Sequence, residues 1–397
     1  MIAEIETEEK KTPDWLNLYL EYTARSEPPR LYHVWTAIST IAAVLQRKCL
    51  LNWGTLAYYP NMYIVLVGPS GCRKGTALNF SLSMLDEIGV TLASEAITRE
   101  ALIRELKNSS ITHTDQNTGR MFPHSSLTIF SPELTVFLGY MNKQLMSDMT
   151  DWYDCRTRWT YRTKNQGTDE ILGVWVNLIG GTTPDLVRET LPQEAIGGGL
   201  TSRIIFVYAK RKDHKEVIPY GDPETRLKLV QELELIRMMS GEFKVTEDFI
   251  SAYSDWYLKH SDEPLKDPRF SGYVDRRANH IFKLCMILSA ARSREMVITG
   301  SDFSRATKIL YEVEPHMVEV FQGMGRNPLS DVTNRISRAV REIGPLSFSE
   351  ITDQFCHDAT SVELEEVMGT LIRIGHIERV VKEGITIYQK KGFDKVC

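Results

Sequence analysis

The chain contains no CxxC pair. Its six cysteines (Cys49, Cys72, Cys155, Cys285, Cys356 and Cys397) are scattered over 397 residues. That excludes the paired spacing of a zinc site and gives no disulfide framework. Scattered thiols lead us to expect a reducing, cytoplasmic setting. No run of about 18 apolar residues occurs, so no membrane-crossing helix is expected. The start, MIAEIETEEKKTPDW, is charged and lacks an apolar core, so no signal peptide is expected either. Excess positive charge is also missing. The formal net charge is −5, so any surface that binds nucleic acid has to be local. We find no internal repeat and no long low-complexity segment.

What is present is a globular composition, 42% hydrophobic and 25% charged, in a chain long enough for two or three packed units. Residues 1–12 read as a disordered tail. Residues 13–47 hold two helical patterns, WLNLYLEYTA and LYHVWTAISTIAAVLQ, split by SEPPR. KCLLNW, a turn at Gly54 and TLAYY suggest a short hairpin. From residue 61 to about 215 the apolar runs MYIVLVG, SLTIFS, VWVNLIGG and SRIIFVYA read as buried strands between helical segments. Residues 216–325 look helical, and Gly and Pro in GMGRNPLS mark a linker. Residues 330–397 read as helix, helix, helix and hairpin, which is a winged-helix order. The expected architecture is therefore α/β, in four parts: an N-terminal region (1–60), a phosphate-loop core (61–215), a helical lid (216–325) and a winged helix (330–397).

The stretch IVLVGPSGCRKGTALNF, residues 64–80, carries the chemistry. A phosphate-binding loop needs glycines so that backbone N–H groups can curl around phosphate oxygens. It also needs a lysine for the β/γ-phosphates and a Ser or Thr hydroxyl for Mg²⁺. The helix that follows adds its positive end. Gly68, Gly71 and Lys74 fall at those places, with Pro69, Ser70 and Cys72 between them. Arg73 stands where glycine is usual, and adds positive charge. Gly75 stands where Ser or Thr is usual, and Thr76 one place later offers the hydroxyl. Hydrolysis of ATP further needs an acid at the end of a neighbouring strand, to hold Mg²⁺ or polarise water. In SLTIFSPEL that acid is Glu133.

GPSGCRKGTA, SPELTVFL, MTDWYDC, WVNLIGGTTPDLVRE, AIGGGLTSRIIFVY and HIFKLCMIL resemble, in that order, a family of P-loop ATPases of phages, plasmids and genomic islands, often attached to primase modules. The resemblance covers about residues 30–320. The same order is similar to the AAA+ core of minichromosome maintenance-type helicases. It implies a ring of six copies, with ATP and Mg²⁺ as cofactors and single-stranded or forked DNA as partner. A separate primase or replication protein is a further implied partner. It also implies a sensor 1 residue at Thr183, with Thr182 and Asn177 as weaker candidates. Arg203 would be an arginine finger reaching a neighbour's ATP, and either Arg276 or Arg277 a sensor 2 arginine.

DWYDCRTRWTYRTKNQGTDEI places Arg156, Arg158, Arg162 and Lys164 among Trp152, Trp159 and Tyr161. RWTYRT alternates and KNQG turns, so a hairpin is expected. By the same resemblance it projects into a central pore and holds single-stranded DNA, with Lys164 at its tip. Basic groups would follow phosphates and aromatics would stack on bases. The third helix of the last segment is acidic at Glu363, Glu365 and Glu366 against Arg373. Contact with DNA there would fall to Arg379, Lys382, Lys390 and Lys391 of the wing, with protein docking equally open. The basic run AKRKDHKE, residues 209–216, reads as a solvated cluster.

Three functions compete. The first is an ATP-driven DNA helicase or translocase of a mobile element. The second is a nucleotide-switched assembly or loader ATPase without unwinding, which Gly75 and the missing second acid favour. The third is a small-molecule kinase, for which no acceptor-pocket signature is seen.

Overall fold

The computed structural model describes residues 13–114, 119, 121–140, 142–163, 167–191, 198–265, 267–321, 329–382 and 384–392. Asp14 caps the first helix, α1 (Trp15–Thr23), by accepting from Asn17 N at 2.9 Å. The second, α2 (Arg30–Leu45), is enclosed by protein on every side, with 14 of its 16 residues buried. The hairpin β1 (Cys49–Trp53) and β2 (Leu56–Tyr58) follows.

The chain then runs through β3 (Tyr63–Val67), α3 (Lys74–Glu87), α4 (Arg99–Asn108), β4 (Ser110–Thr114) and β5 (Met121–Ser131). Next come α5 (Leu134–Leu138), α6 (Lys143–Tyr153), β6 (Arg158–Thr163), β7 (Gly167–Leu172), β8 (Val174–Thr182), α7 (Pro184–Thr190) and β9 (Ile204–Tyr208). The five-stranded sheet has the order β4-β5-β8-β3-β9. β5, β8, β3 and β9 are parallel, with Val67 opposite both Thr182 and Tyr208, and β4 is an antiparallel edge on β5. Every residue of β3 and β8 is buried, which is why both read as unbroken apolar runs. Parallel strands place the loops after β3, β5 and β8 on one edge, where α/β sheets bind ligands.

The region expected to be helical contains α8 (Pro223–Arg237), α9 (Glu247–His260), α10 (Ser271–Val274), α11 (Arg277–Arg292) and α12 (Gly300–Val320). Three short strands interrupt it: β10 (Gly241–Glu242), β11 (Lys244–Val245) and β12 (Val297–Ile298). β10 pairs with β1, and α2 packs on α3, α8, α11 and the sheet. The segments read as N-terminal region, core and lid thus fold as one unit ending at Val320. No helix among the described residues is long and apolar enough to cross a membrane.

The second unit holds α13 (Ser330–Glu342), β13 (Leu346–Ser347), α14 (Phe348–Phe355), α15 (Ser361–Arg373), β14 (Ile377–Lys382) and β15 (Ile385–Lys390). Its antiparallel sheet has the order β13-β15-β14. Ile336, Ile351, Leu364 and Leu371 lie at the centre of its core. Capping boxes start α14 (Ser347 with Glu350) and α15 (Thr360 with Glu363). Glu363 therefore has a local task, while Glu365, Glu366 and Arg373 are exposed.

Candidate functional site

Buried β3 ends at Val67, and the chain turns sharply through Gly68–Arg73 into α3. Two constraints shape that turn. A Cβ at Gly68 would lie 2.4 Å from the Tyr32 hydroxyl, which donates to Val67 O at 2.7 Å, and 2.7 Å from Ala209 O. Only glycine fits there. Arg73 has φ 62° and ψ 29°, a left-handed conformation in which a side chain is strained.

Lys74 opens α3. Its Nζ donates to Gly68 O at 2.7 Å and Pro69 O at 3.1 Å, and burial lowers its pKa. The first N–H groups of α3 have no intrahelical acceptor and carry the helix's partial positive charge. No atom comes within 4 Å of a Cβ built at Gly71 or Gly75, so the turn is not packed over at those points. Thr76 is exposed on the first turn of α3.

Glu133 lies two residues beyond β5, exposed at the start of α5. It is close enough to Lys74 to oppose the lowering of its pKa. Gly181 makes this approach possible, because a Cβ there would lie 2.8 Å from Pro132 O and 3.6 Å from Lys74 Cβ. Sequence patterning does not single out Gly181; its only trace is the GG pair in VNLIGGTTP. Thr182 O accepts from Gly68 N at 3.3 Å. Thr183 caps α7, its Oγ1 accepting from Leu186 N at 3.3 Å, which leaves the hydroxyl proton free to donate. Asn177, a weaker sensor candidate, lies away from the strand ends. It is fully buried in mid-strand, accepts from Met62 N and donates to Ser39, so it braces the core.

Arg203 lies at the other edge of the sheet. It precedes Ile204, which pairs with Tyr63 at the start of β3. The length of β3 separates it from Gly68, about 20 Å at ~3.3 Å per residue. Arg203 is buried, held by Asp154 at 2.7 and 3.2 Å and by Gly199 O at 2.8 Å. Arg276 is its neighbour: burial, then Arg203, lowers its pKa. Arg277 turns away from both. Its side chain is 2% exposed, bonded to Glu314 at 2.8 and 3.1 Å and to the carbonyls of Ser261 and Glu263. Arg277 is thus committed to the fold, whereas Arg276 is half-buried and donates to Gly272 O at 3.0 Å.

β6 and β7 form the expected hairpin, closing with Thr163 opposite Gly167. Lys164, expected at the tip, lies outside the described residues. Arg158 and Arg162 face outward; Arg158 pairs with Glu170, and Arg156 with Asp151 at 3.0 Å. The aromatics do not lie free for bases. Trp152 is fully buried, Trp159 packs on it edge to face, and Tyr161 lies under the Arg99 guanidinium of α4.

The strand-end edge thus gathers a lysine, helix N–H groups, a threonine hydroxyl and a carboxylate. This donor set suits a polyphosphate with Mg²⁺, which needs few protein oxygens. No protein-family model matches the chain, and no curated protein matches it.

Proposed function

We propose that the chain is an ATP-dependent DNA helicase or translocase, built on a P-loop core of AAA+ type and working as a ring. The observation that carries this is the close approach of the Lys74 and Pro132 segments across Gly181 at the strand-end edge of a parallel sheet, with Glu133 next to Pro132. Lys74 would exchange its two carbonyl acceptors for β/γ-phosphate oxygens. Thr76 and Glu133 would hold Mg²⁺, which neutralises phosphate charge, and Glu133 would also orient the attacking water. Thr183 would donate to the same group.

Arg203 and Arg276 support the ring. Their edge is too far from their own loop for a side chain to span, so they would act on a neighbour's nucleotide, where charge develops on the γ-phosphate. Outward Arg158 and Arg162, with Lys164, would follow the phosphates of one DNA strand. The second unit, in the winged-helix reading, would offer Arg379, Lys390 and Lys391.

ATP turnover with and without single-stranded DNA tests this, using wild type, Lys74→Ala and Arg203→Ala. DNA-stimulated turnover that both substitutions abolish is the expected result; turnover insensitive to DNA and to Arg203→Ala would refute the motor. The switch reading keeps one specific support, Gly75 at the usual Mg²⁺-ligand position. Binding of ATP without turnover would favour it, and unwinding of a forked duplex would exclude it.

A further inference from the structure

Glu27 lies in the turn between α1 and α2, its side chain only 11% exposed. One carboxylate oxygen accepts from Arg73 Nε at 2.7 Å and the other from Lys212 Nζ. The hydrogen bond from Lys212, then that from Arg73, holds this carboxyl down to about 2. Lys212 belongs to the basic run after β9, and the structure draws that run alongside the Gly68–Arg73 turn. Ala209 N donates to Val67 O at 3.0 Å, and the Cys72 thiol to Ala209 O at 3.5 Å. Arg30 N donates to Asp213 Oδ2 at 2.7 Å, fastening the other side.

Arg73 of the Gly68–Arg73 turn and Lys212 of the run after β9, remote from each other in sequence, thus converge on one carboxylate of a third segment. A half-exposed surface ion pair stabilises little. It gives no reason for an arginine in a left-handed position directly before the loop lysine. A guanidinium and an ammonium aimed at the same oxyanion do give one, because that is how phosphate oxygens are held.

We propose that Lys212 is a further phosphate-binding residue of the nucleotide site, and that Glu27 is the internal anion that holds Lys212 and Arg73 until a polyphosphate displaces it. This rests on the nucleotide reading above. Glu27 then sets affinity by competition: a phosphate chain on Lys74 repels its carboxylate and takes over its two cations.

The test is calorimetric titration of wild type, Lys74→Ala, Glu27→Gln and Lys212→Ala with Mg²⁺–ATP and with inorganic tripolyphosphate, after each variant's melting temperature is checked. One charge at this range changes affinity by about five-fold. Glu27→Gln should therefore bind both ligands tighter, and Lys212→Ala weaker, by about that factor, with both differences shrinking in roughly 0.5 M salt. Binding by Glu27→Gln alone would support the proposal in its strongest form. If wild type binds, Lys74→Ala does not, and the other two match wild type, the nucleotide reading stands and this proposal is overturned. Weaker binding by Glu27→Gln would make Glu27 a brace and overturn it too. If no protein binds either ligand, both fall. Should Lys212→Ala not fold, Glu27→Gln decides.

Discussion

Asp154 holds Arg203 by Nε and Nη2, while Gly199 O takes Nη1. Every nitrogen of the guanidinium is therefore engaged within its own chain, although the Asp154 side chain is itself 47% exposed. A guanidinium so held is pre-positioned but not free. To serve a second copy it would have to trade Asp154 for phosphate, an exchange that only a docked neighbour could drive.

A mixing experiment follows from this geometry. Arg203→Ala has an intact loop and Lys74→Ala an intact finger, so each alone should be inactive. Mixed, they should regain part of the wild-type ATPase, because some interfaces then pair a good loop with a good finger. Absence of any recovery, with oligomers present, would place Arg203 outside the neighbour's site.

Stability should separate the three arginines. Arg277→Ala leaves Glu314 buried without its partner, at a cost of about 3–5 kcal/mol. Asp154→Asn weakens a pair open to solvent on one side, at a cost of about 1 kcal/mol. Arg276→Ala should leave folding nearly unchanged and lower turnover. Denaturant midpoints read all three, and equal losses for Arg276→Ala and Arg277→Ala would contradict the burial difference.

Acid should destabilise the chain through its buried imidazoles. Burial holds His33 and His124 down to about 4 and His280 to about 3, against an ordinary value of 6.5. Between those values the folded chain keeps them neutral, while the unfolded chain takes a proton on each. Stability is therefore full above 6.5 and falls as pH drops toward 4. Near pH 5, unfolding should take up roughly three protons from these groups, and about one fewer in His280→Asn. Calorimetry in buffers of different ionisation enthalpy measures the uptake; the same uptake in wild type and His280→Asn would refute the neutral His280.

The hairpin should divide by face. Arg162→Ala and Lys164→Ala should each lower DNA-stimulated turnover, spare basal turnover, and reduce the salt slope of DNA binding by about one. Trp159→Ala, on the packed face against Trp152, should lower the melting temperature instead. Loss of DNA stimulation in Trp159→Ala without any loss of stability would mean that the ring touches bases.

Gly75 offers a test by gain. A Cβ there meets nothing within 4 Å, so Gly75→Ser should fit and stabilise α3 by about 0.5 kcal/mol. If the Mg²⁺ ligand is the weak point of the loop, the serine should also lower the Mg²⁺ concentration needed for turnover, and Thr76→Ala should raise it. No effect from either change would remove Thr76 from the metal site.

The parallel strands were legible because strands buried on both faces read as continuous apolar runs. β4 was not, because SITHT lies on an exposed edge with a burial pattern no loop would contradict. The two-residue strands β10, β11 and β12 are too short for any periodicity. In the site, Gly68, Gly71 and Lys74 follow from spacing alone, and Glu133 from its place after a strand. Spacing does not separate Arg276 from Arg277; Glu314, 37 residues away from Arg277, claims one of them. Glu27 and Lys212 were hidden for the same reason: their meeting, 185 residues apart, is a product of the fold. In the sequence alone Lys212 reads as one more solvated cation.

α2 gives the N-terminal region a meaning that its position in the chain conceals. A fragment beginning at Met62 would retain every residue of the Gly68–Arg73 turn and yet lose the helix that covers β3, β8 and β9, along with the Tyr32 hydroxyl that pins Val67. Such a truncation would leave a wide apolar face open to water, so aggregation is its expected fate. The smallest autonomous body therefore starts no later than α2, and α2 is not an exchangeable module.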